Sequence, residues 1–273
     1  MPDNRPSRIQ RLFERLRREG RKGFIGYLTA GDPSLDRTAG LALALERGGV
    51  DLVELGVPFS DPIADGPVIQ RAAERALRGG ASLRKVLEVA VEIRLTSEVP
   101  LLLFTYLNPV LRYGVEALAR DAAAAGIDGV LLTDLSVEEA AVHVEAMRRH
   151  NLDTIFLAAP TSTERRLRLI AKYSTGFVYL VSRTGVTGES DSLSGSIAPL
   201  VEAVRRVTDL PLAVGFGISR PEHVAAVGGL ADAVVVGSAF VRLIERNAAN
   251  AALEIQLESL ARELKHGFQL RPS

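Results

Sequence analysis

Short, nearly continuous apolar runs alternate along this chain with longer stretches whose hydrophobic positions recur every three to four residues. The runs are Gly23–Thr29, Leu52–Val57, Leu101–Tyr106, Gly129–Leu132, Thr154–Ala158, Phe177–Val181, Leu212–Gly215 and Ala233–Val236. Helical periodicity falls at about 34–47, 68–78, 82–97, 115–125, 137–150, 163–173, 196–208, 221–228 and 240–265. A strand without polar alternation suits a parallel sheet covered on both faces, and regular strand–helix alternation suits the α/β class. Eight such strands predict a (β/α)8 TIM barrel, one domain over residues 1–273. The competing architecture is an open doubly wound sheet, but no Gly-x-Gly-x-x-Gly turn follows the first strand.

Ahead of the first strand, Ile9, Leu12, Phe13 and Leu16 lie at helical spacing among arginines. They predict an extra N-terminal helix over about 7–19, packed on the body. An Arg-rich amphipathic segment also suits a transit peptide, but Glu14 and Glu19 interrupt the basic face and no cleavage-like segment follows. The polar tail from about Gly267 is expected to fray.

Composition narrows the chemistry. With 47% apolar residues the chain can bury a large core, and a formal net charge of zero gives no field to draw nucleic acid or an acidic membrane. No apolar run approaches the roughly 20 residues of a membrane span. The absence of cysteine excludes disulfides and thiolate chemistry and fits a reducing compartment, so a cytoplasmic location is expected. Lys22, Lys85, Lys172 and Lys265 are the only lysines, and none stands at the outgoing end of a strand, where a barrel imine would form. The histidines at 143, 150, 223 and 266 do not cluster with carboxylates, so no metal site is expected.

Barrel active sites lie at the C-terminal strand ends. Strand 2 places Glu54 among Leu52, Val53 and Leu55, where a carboxylate is costly without a role or a partner. By two-residue alternation it faces the same way as Leu52. Its loop adds Asp61 and Asp65, the latter also placed to cap the helix after Pro67, and Asp134 follows strand 4. Glycines after the sixth, seventh and eighth strands, with a helix starting at Ser238, suit an anion: backbone N–H groups can approach it, and the helix points its positive end at it. Two carboxylates beside a phosphate anchor imply acid–base chemistry on a phosphorylated metabolite. The residues alone do not name it.

Several blocks resemble the tryptophan synthase α-subunit family along essentially the whole chain. They are Gly31-Asp32-Pro33, ELGVPFSDPIADGPVIQ over 54–70, Asn108-Pro109, Asp134-Leu135, SRTGVTG at 182–188, GFGIS at 215–219 and VVVGSAF at 234–240. The resemblance implies retro-aldol cleavage of indole-3-glycerol phosphate to indole and D-glyceraldehyde 3-phosphate. It makes Glu54 the acid/base and Asp65 the carboxylate facing the indole N–H. It lines the indole pocket with Phe24, Phe104, Tyr106, Leu131, Leu157 and Tyr179. It gives the phosphate to Gly188, Gly217, Gly237 and Ser238, and makes Thr187 a loop residue that meets Asp65 on closure. It also implies a β-subunit partner in an α2β2 tetramer, with pyridoxal phosphate in that partner and no cofactor in this chain. A free-standing lyase releasing indole and a non-catalytic activating subunit are the alternatives; intact Glu54 and Asp65 count against the second. Thr133-Asp134-Leu135-Ser136 departs from the Pro-Asp-Leu-Pro usual in the family after strand 4.

Overall fold

The computed structural model describes residues 6–181, 190–215 and 217–270, with the backbone alone for 190–196. Nine strand segments form one parallel sheet: β1 (Gly23–Thr29), β2 (Leu52–Gly56), β3 (Leu101–Thr105), β4 (Gly129–Leu132), β5 (Asp153–Ile155), β6 (Leu157–Ala158), β7 (Val178–Val181), β8 (Leu212–Gly215) and β9 (Ala233–Val236). Their order is β5-β4-β3-β2-β1-β9-β8-β7-β6. The two ends of that order, β5 and β6, are consecutive pieces of the predicted fifth strand, parted only at Phe156. Because β5 pairs with β4 and β6 pairs with β7, the chain through Phe156 closes the ring. Eight strand positions therefore make a (β/α)8 barrel. No helix among the described residues is long and apolar enough to cross a membrane.

Alternation along each strand sorts side chains into two layers. Outward residues such as Val53, Leu55, Leu101, Leu103 and Val130 pack under the helices in the larger apolar cluster. Inward residues such as Ile25, Leu52, Leu102, Leu131, Ile155 and Phe177 fill the lumen. Helix α1 (Arg8–Glu19) plugs the N-terminal end of that lumen with Ile9, Leu12, Phe13 and Leu16, and Phe13 lies 5.6 Å from Phe177. A capping box between Ser7 and Gln10 starts the helix. Both side chains also bond the Asp153 carboxylate, which Thr175 Oγ1 reaches as well at 2.6 Å. The helix is thus built into the barrel floor.

The remaining helices are α2 (Leu35–Arg47), α3 (Pro67–Arg78), α4 (Leu83–Arg94), α5 (Leu107–Tyr113), α6 (Val115–Ala124), α7 (Ala141–Arg149), α8 (Glu164–Tyr173), α9 (Ser190–Arg205), α10 (Pro221–Gly228), α11 (Ser238–Arg246) and α12 (Leu253–Lys265). Four differ from the sequence pattern. The short α5 falls between the predicted elements; Asp134 Oδ1 caps it across space by accepting from the Leu107 N–H at 2.7 Å. The stretch 137–150 divides into a 3-10 turn, Val137–Glu139, and α7. The predicted 240–265 helix breaks between α11 and α12, where Asn247 and Asn250 turn their side chains onto nearby backbone. Helix α9 begins at Ser190, six residues ahead of expectation, through residues of low helix propensity.

Near the chain end, where a frayed tail from about Gly267 is expected, residues His266–Gln269 form a 3-10 turn, because Gly267 is buried and Phe268 packs edge-on against Phe24 at 6.0 Å; the last three residues of that tail lie outside the described residues. At the opposite end of the barrel, Arg75 grips Asp32 through two bonds of 2.8 and 2.9 Å. This fixes the β1–α2 loop against α3.

Candidate active site

The C-terminal mouth of the lumen is where the inward-facing residues change character. Register fixes the arrangement: Tyr27 stands opposite Glu54, Gly56 opposite Phe104, Phe104 opposite Leu131, and Leu157 opposite Tyr179. The rings of Phe104 and Tyr27 meet edge-on at 5.4 Å, and those of Phe104 and Tyr179 at 6.5 Å. Phe104 and Leu157 keep partial exposure while the residues beneath them are closed off, so the aromatic wall opens only at this end.

Glu54 sits in that wall with no exposed surface, and neither carboxyl oxygen has a hydrogen-bond partner among the described residues. Burial alone pushes its pKa up to about 8. At neutral pH the group is therefore mostly a neutral acid with a proton to give. Asp65 lies on the β2–α3 loop. Burial raises its pKa to about 6, opposed by a hydrogen bond from the Tyr106 hydroxyl, so at neutral pH it is mostly ionised. It does not cap α3, whose N-cap is Gly66, and that removes the competing structural role. The Tyr106 hydroxyl also accepts from the Ala64 N–H at 3.1 Å, and its ring lies 5.2 Å from Phe59, which pins the loop over the mouth. Asp61 is turned outward and takes the Ser60 hydroxyl at 2.6 Å.

One sequence expectation fails here. Phe24 faces out of the barrel, fully buried against Phe240 and Phe268 at 6.3 and 6.0 Å, and lines no pocket. Its place is taken by Tyr27, three residues on and of opposite facing. The Tyr27 hydroxyl contacts Thr29 Oγ1 at 3.3 Å and feels both Asp65 and Glu54. Sequence held a usable signal: Tyr27 is nearer the outgoing end of β1 than Phe24, and that end bears the site. Gly56 makes room for the tyrosine, since a Cβ there would lie 2.1 Å from its hydroxyl oxygen.

Across the mouth, β8 and β9 pair with Gly215 opposite Val235, so Gly217 and Gly237 follow at matching heights. Gly217 holds φ +68°, a conformation that favours glycine. Gly237 is the N-cap of α11 and Ser238 its first residue, so Ser238 is not itself the cap. The first N–H groups of α11 have no helical carbonyl to bond and face the mouth with the positive end of the helix. A Cβ on Gly237 would press on Tyr27 Cβ at 3.3 Å, which ties the cradle to the aromatic wall. Thr187 and Gly188 lie outside the described residues.

Comparison with known proteins fits this geometry. The family model for the tryptophan synthase alpha chain matches residues 13–269. The tryptophan synthase alpha chain of Solibacter usitatus is 72% identical over 265 residues, covering 97% of this chain and 99% of that one. Among solved structures, the tryptophan synthase subunit alpha of Legionella pneumophila superposes with a TM-score of 0.90 at 36% identity, covering 97% of this chain and 99% of its own. Mycobacterium tuberculosis tryptophan synthase gives 0.89 at 41%, covering 97% of this chain and 100% of the matched one.

Proposed function

Because the chain belongs to the tryptophan synthase alpha chain family and is thereby a lyase of tryptophan biosynthesis, we propose that it splits indole-3-glycerol phosphate into indole and D-glyceraldehyde 3-phosphate with Glu54 and Asp65 as its catalytic pair. The observation that carries this reading is the contrast between two carboxyls that both act on the Tyr27 and Tyr179 hydroxyls, one held protonated by burial and the other ionised at the same pH. Environments that push two acids apart assign an acid and a charge stabiliser.

The chemistry uses both. Indole C3 is a poor leaving carbon until it is protonated, and Glu54 supplies that proton. The resulting indolenine carries positive charge at the ring nitrogen, which the Asp65 carboxylate faces and stabilises. The bond from C3 to the side-chain carbon then breaks, and its electrons return to the ring. The side-chain hydroxyl loses its proton, for which the carboxylate left on Glu54 is the base, and an aldehyde forms. Phe104, Tyr106, Leu131, Leu157 and Tyr179, joined by Tyr27, hold the indole ring. Gly217, Gly237 and Ser238 hold the phosphate with backbone N–H groups, and Gly188 and Thr187, which follow β7 in sequence, complete the site.

Indole then passes to a pyridoxal-phosphate β subunit in an α2β2 assembly in the cytoplasm; this chain needs no cofactor of its own. Support for a partner at the mouth comes from the β2–α3 loop, where Ile63 is 82% exposed beside the residues that carry Asp65. Removing the Glu54 proton tests the whole reading. In Glu54→Gln, indole release should fall by roughly 10²–10⁴-fold with the fold intact by circular dichroism. Near-parental turnover would make Glu54 a structural residue and the scheme wrong.

A further inference from the structure

A concavity lies at the opposite end of the barrel from Glu54. It is an open groove of about 720 Å³ beside α1, on the N-terminal face. Six cations line it: Arg8, Arg11, Arg15, Arg18, Arg21 and Lys265. Only three carboxylates, Glu46, Asp51 and Glu98, share the lining. The floor is apolar, made of Leu12, Val50, Val99 and Pro100.

The carboxylates are already engaged. Glu98 and Asp128 hold Arg8 at 2.6 and 3.1 Å. Asp51 accepts from the Phe24 N–H at 3.0 Å and lies 3.9 Å from Arg21. Glu46 takes the Ser97 hydroxyl at 2.7 Å. Lys265 Nζ is tied to the Gly49 carbonyl at 2.8 Å. These bonds fix the rim. Arg11, Arg15 and Arg18 stay exposed on one edge of α1, with no carboxylate within ion-pair distance among the described residues.

Spacing of four and then three residues keeps these three arginines on one side of the helix. At 1.5 Å per residue they rise over roughly 10 Å along the groove. A single small anion meets one or two such groups, whereas a chain of linked phosphates reaches along all three. Guanidinium forks suit phosphate oxygens better than ammonium does, and the edge is arginine throughout. We propose that this groove is a binding site for a linear polyphosphate, either inorganic tripolyphosphate or the triphosphate of a nucleotide whose base lies on the apolar floor.

The site is separate from the mouth that takes the substrate phosphate, so its test does not depend on turnover. Titration calorimetry on the full chain at low salt should show saturable one-to-one binding of tripolyphosphate, weakening steeply as salt is added. The triple variant Arg11→Gln, Arg15→Gln, Arg18→Gln should lose at least tenfold in affinity. Its indole pocket and melting temperature should be unchanged, because all three side chains are exposed. Arg168→Gln, an exposed arginine paired with Glu164 elsewhere, should bind like the parent. ATP binding tighter than tripolyphosphate would identify the nucleotide as the source, and the reverse order the inorganic chain. No saturation by either ligand would overturn the site. So would equal affinity for inorganic phosphate, unchanged binding in the triple variant, or tighter binding of a poly-glutamate peptide.

Discussion

At the scale of single residues, the decisive feature is a carboxyl with nothing to bond. Glu54 is held between Tyr27 on one neighbouring strand and Leu102 on the other, and its two oxygens find no donor among the described residues. The proposed chemistry requires Glu54 protonated and Asp65 ionised in the same molecule. With pKa values of about 8 and about 6, that state dominates between those two points. The profile of kcat/KM against pH should therefore be a bell, rising through about 6 as Asp65 ionises and falling through about 8 as Glu54 loses its proton. Such profiles report the pair rather than each group separately. In Asp65→Asn the acidic limb should vanish from whatever rate remains; an acidic limb that survives would assign it to another group. Both carboxyls were legible in the sequence because a charge in an apolar strand, or next to glycine and proline at its exit, breaks the local pattern. Tyr27 was harder to read. The sheet is apolar on both faces, so hydropathy does not separate Phe24 from Tyr27; only the nearness of Tyr27 to the outgoing end of β1 does, and the register bears that out.

At the scale of elements, strands were easier to read than the helices around them. Four of the eight predicted runs match observed strands end to end, because a buried parallel strand is a compact apolar word. Helix limits depend on caps that arrive from elsewhere in space. Asp134 caps α5 from the end of β4, and no spacing along the chain announces it. The same holds for α1. Its apolar stripe predicted a helix, but its anchor is Asp153 at the start of β5, 146 positions beyond Ser7. Asp153 is 3% exposed and accepts from Ser7, Gln10 and Thr175. Replacing it with alanine strands three donors at the barrel floor. Losses of this kind cost roughly 1–3 kcal/mol for each group left unsatisfied, so Asp153→Ala should destabilise by about 2–4 kcal/mol once water reaches some of them. Hydrogen exchange should show α1 opening first and the β2–β3 pair little changed. Unaltered exchange across residues 8–19 would mean that the apolar plug alone holds the helix.

At the scale of the whole molecule, the barrel separates a closed end from an open one, and the closed end sets what the open one can do. Helix α1 packs its apolar side chains into the floor, the inward residues beneath Glu54 are buried, and burial keeps the Glu54 carboxyl protonated. The same burial sets the pH dependence of folding. In the unfolded chain Glu54 titrates near its ordinary value of 4.5, and in the fold near 8. Between those points the folded state binds the proton more tightly. Its contribution to stability is complete below about 4.5, declines as pH rises, and is lost above about 8. A shift of this size corresponds to roughly 3–5 kcal/mol across the window. Glu54→Gln removes the titration and keeps the shape, so its thermal midpoint should be close to the parent's at pH 4.5. The variant should gain on the parent steadily up to pH 8, by several degrees for a chain of this length. For the proposed catalytic acid, a destabilised fold at working pH is the expected trade between activity and stability. A constant gap between variant and parent over the whole range would show that Glu54 is not held protonated by burial, and the acid in the proposed cleavage would have to be sought elsewhere.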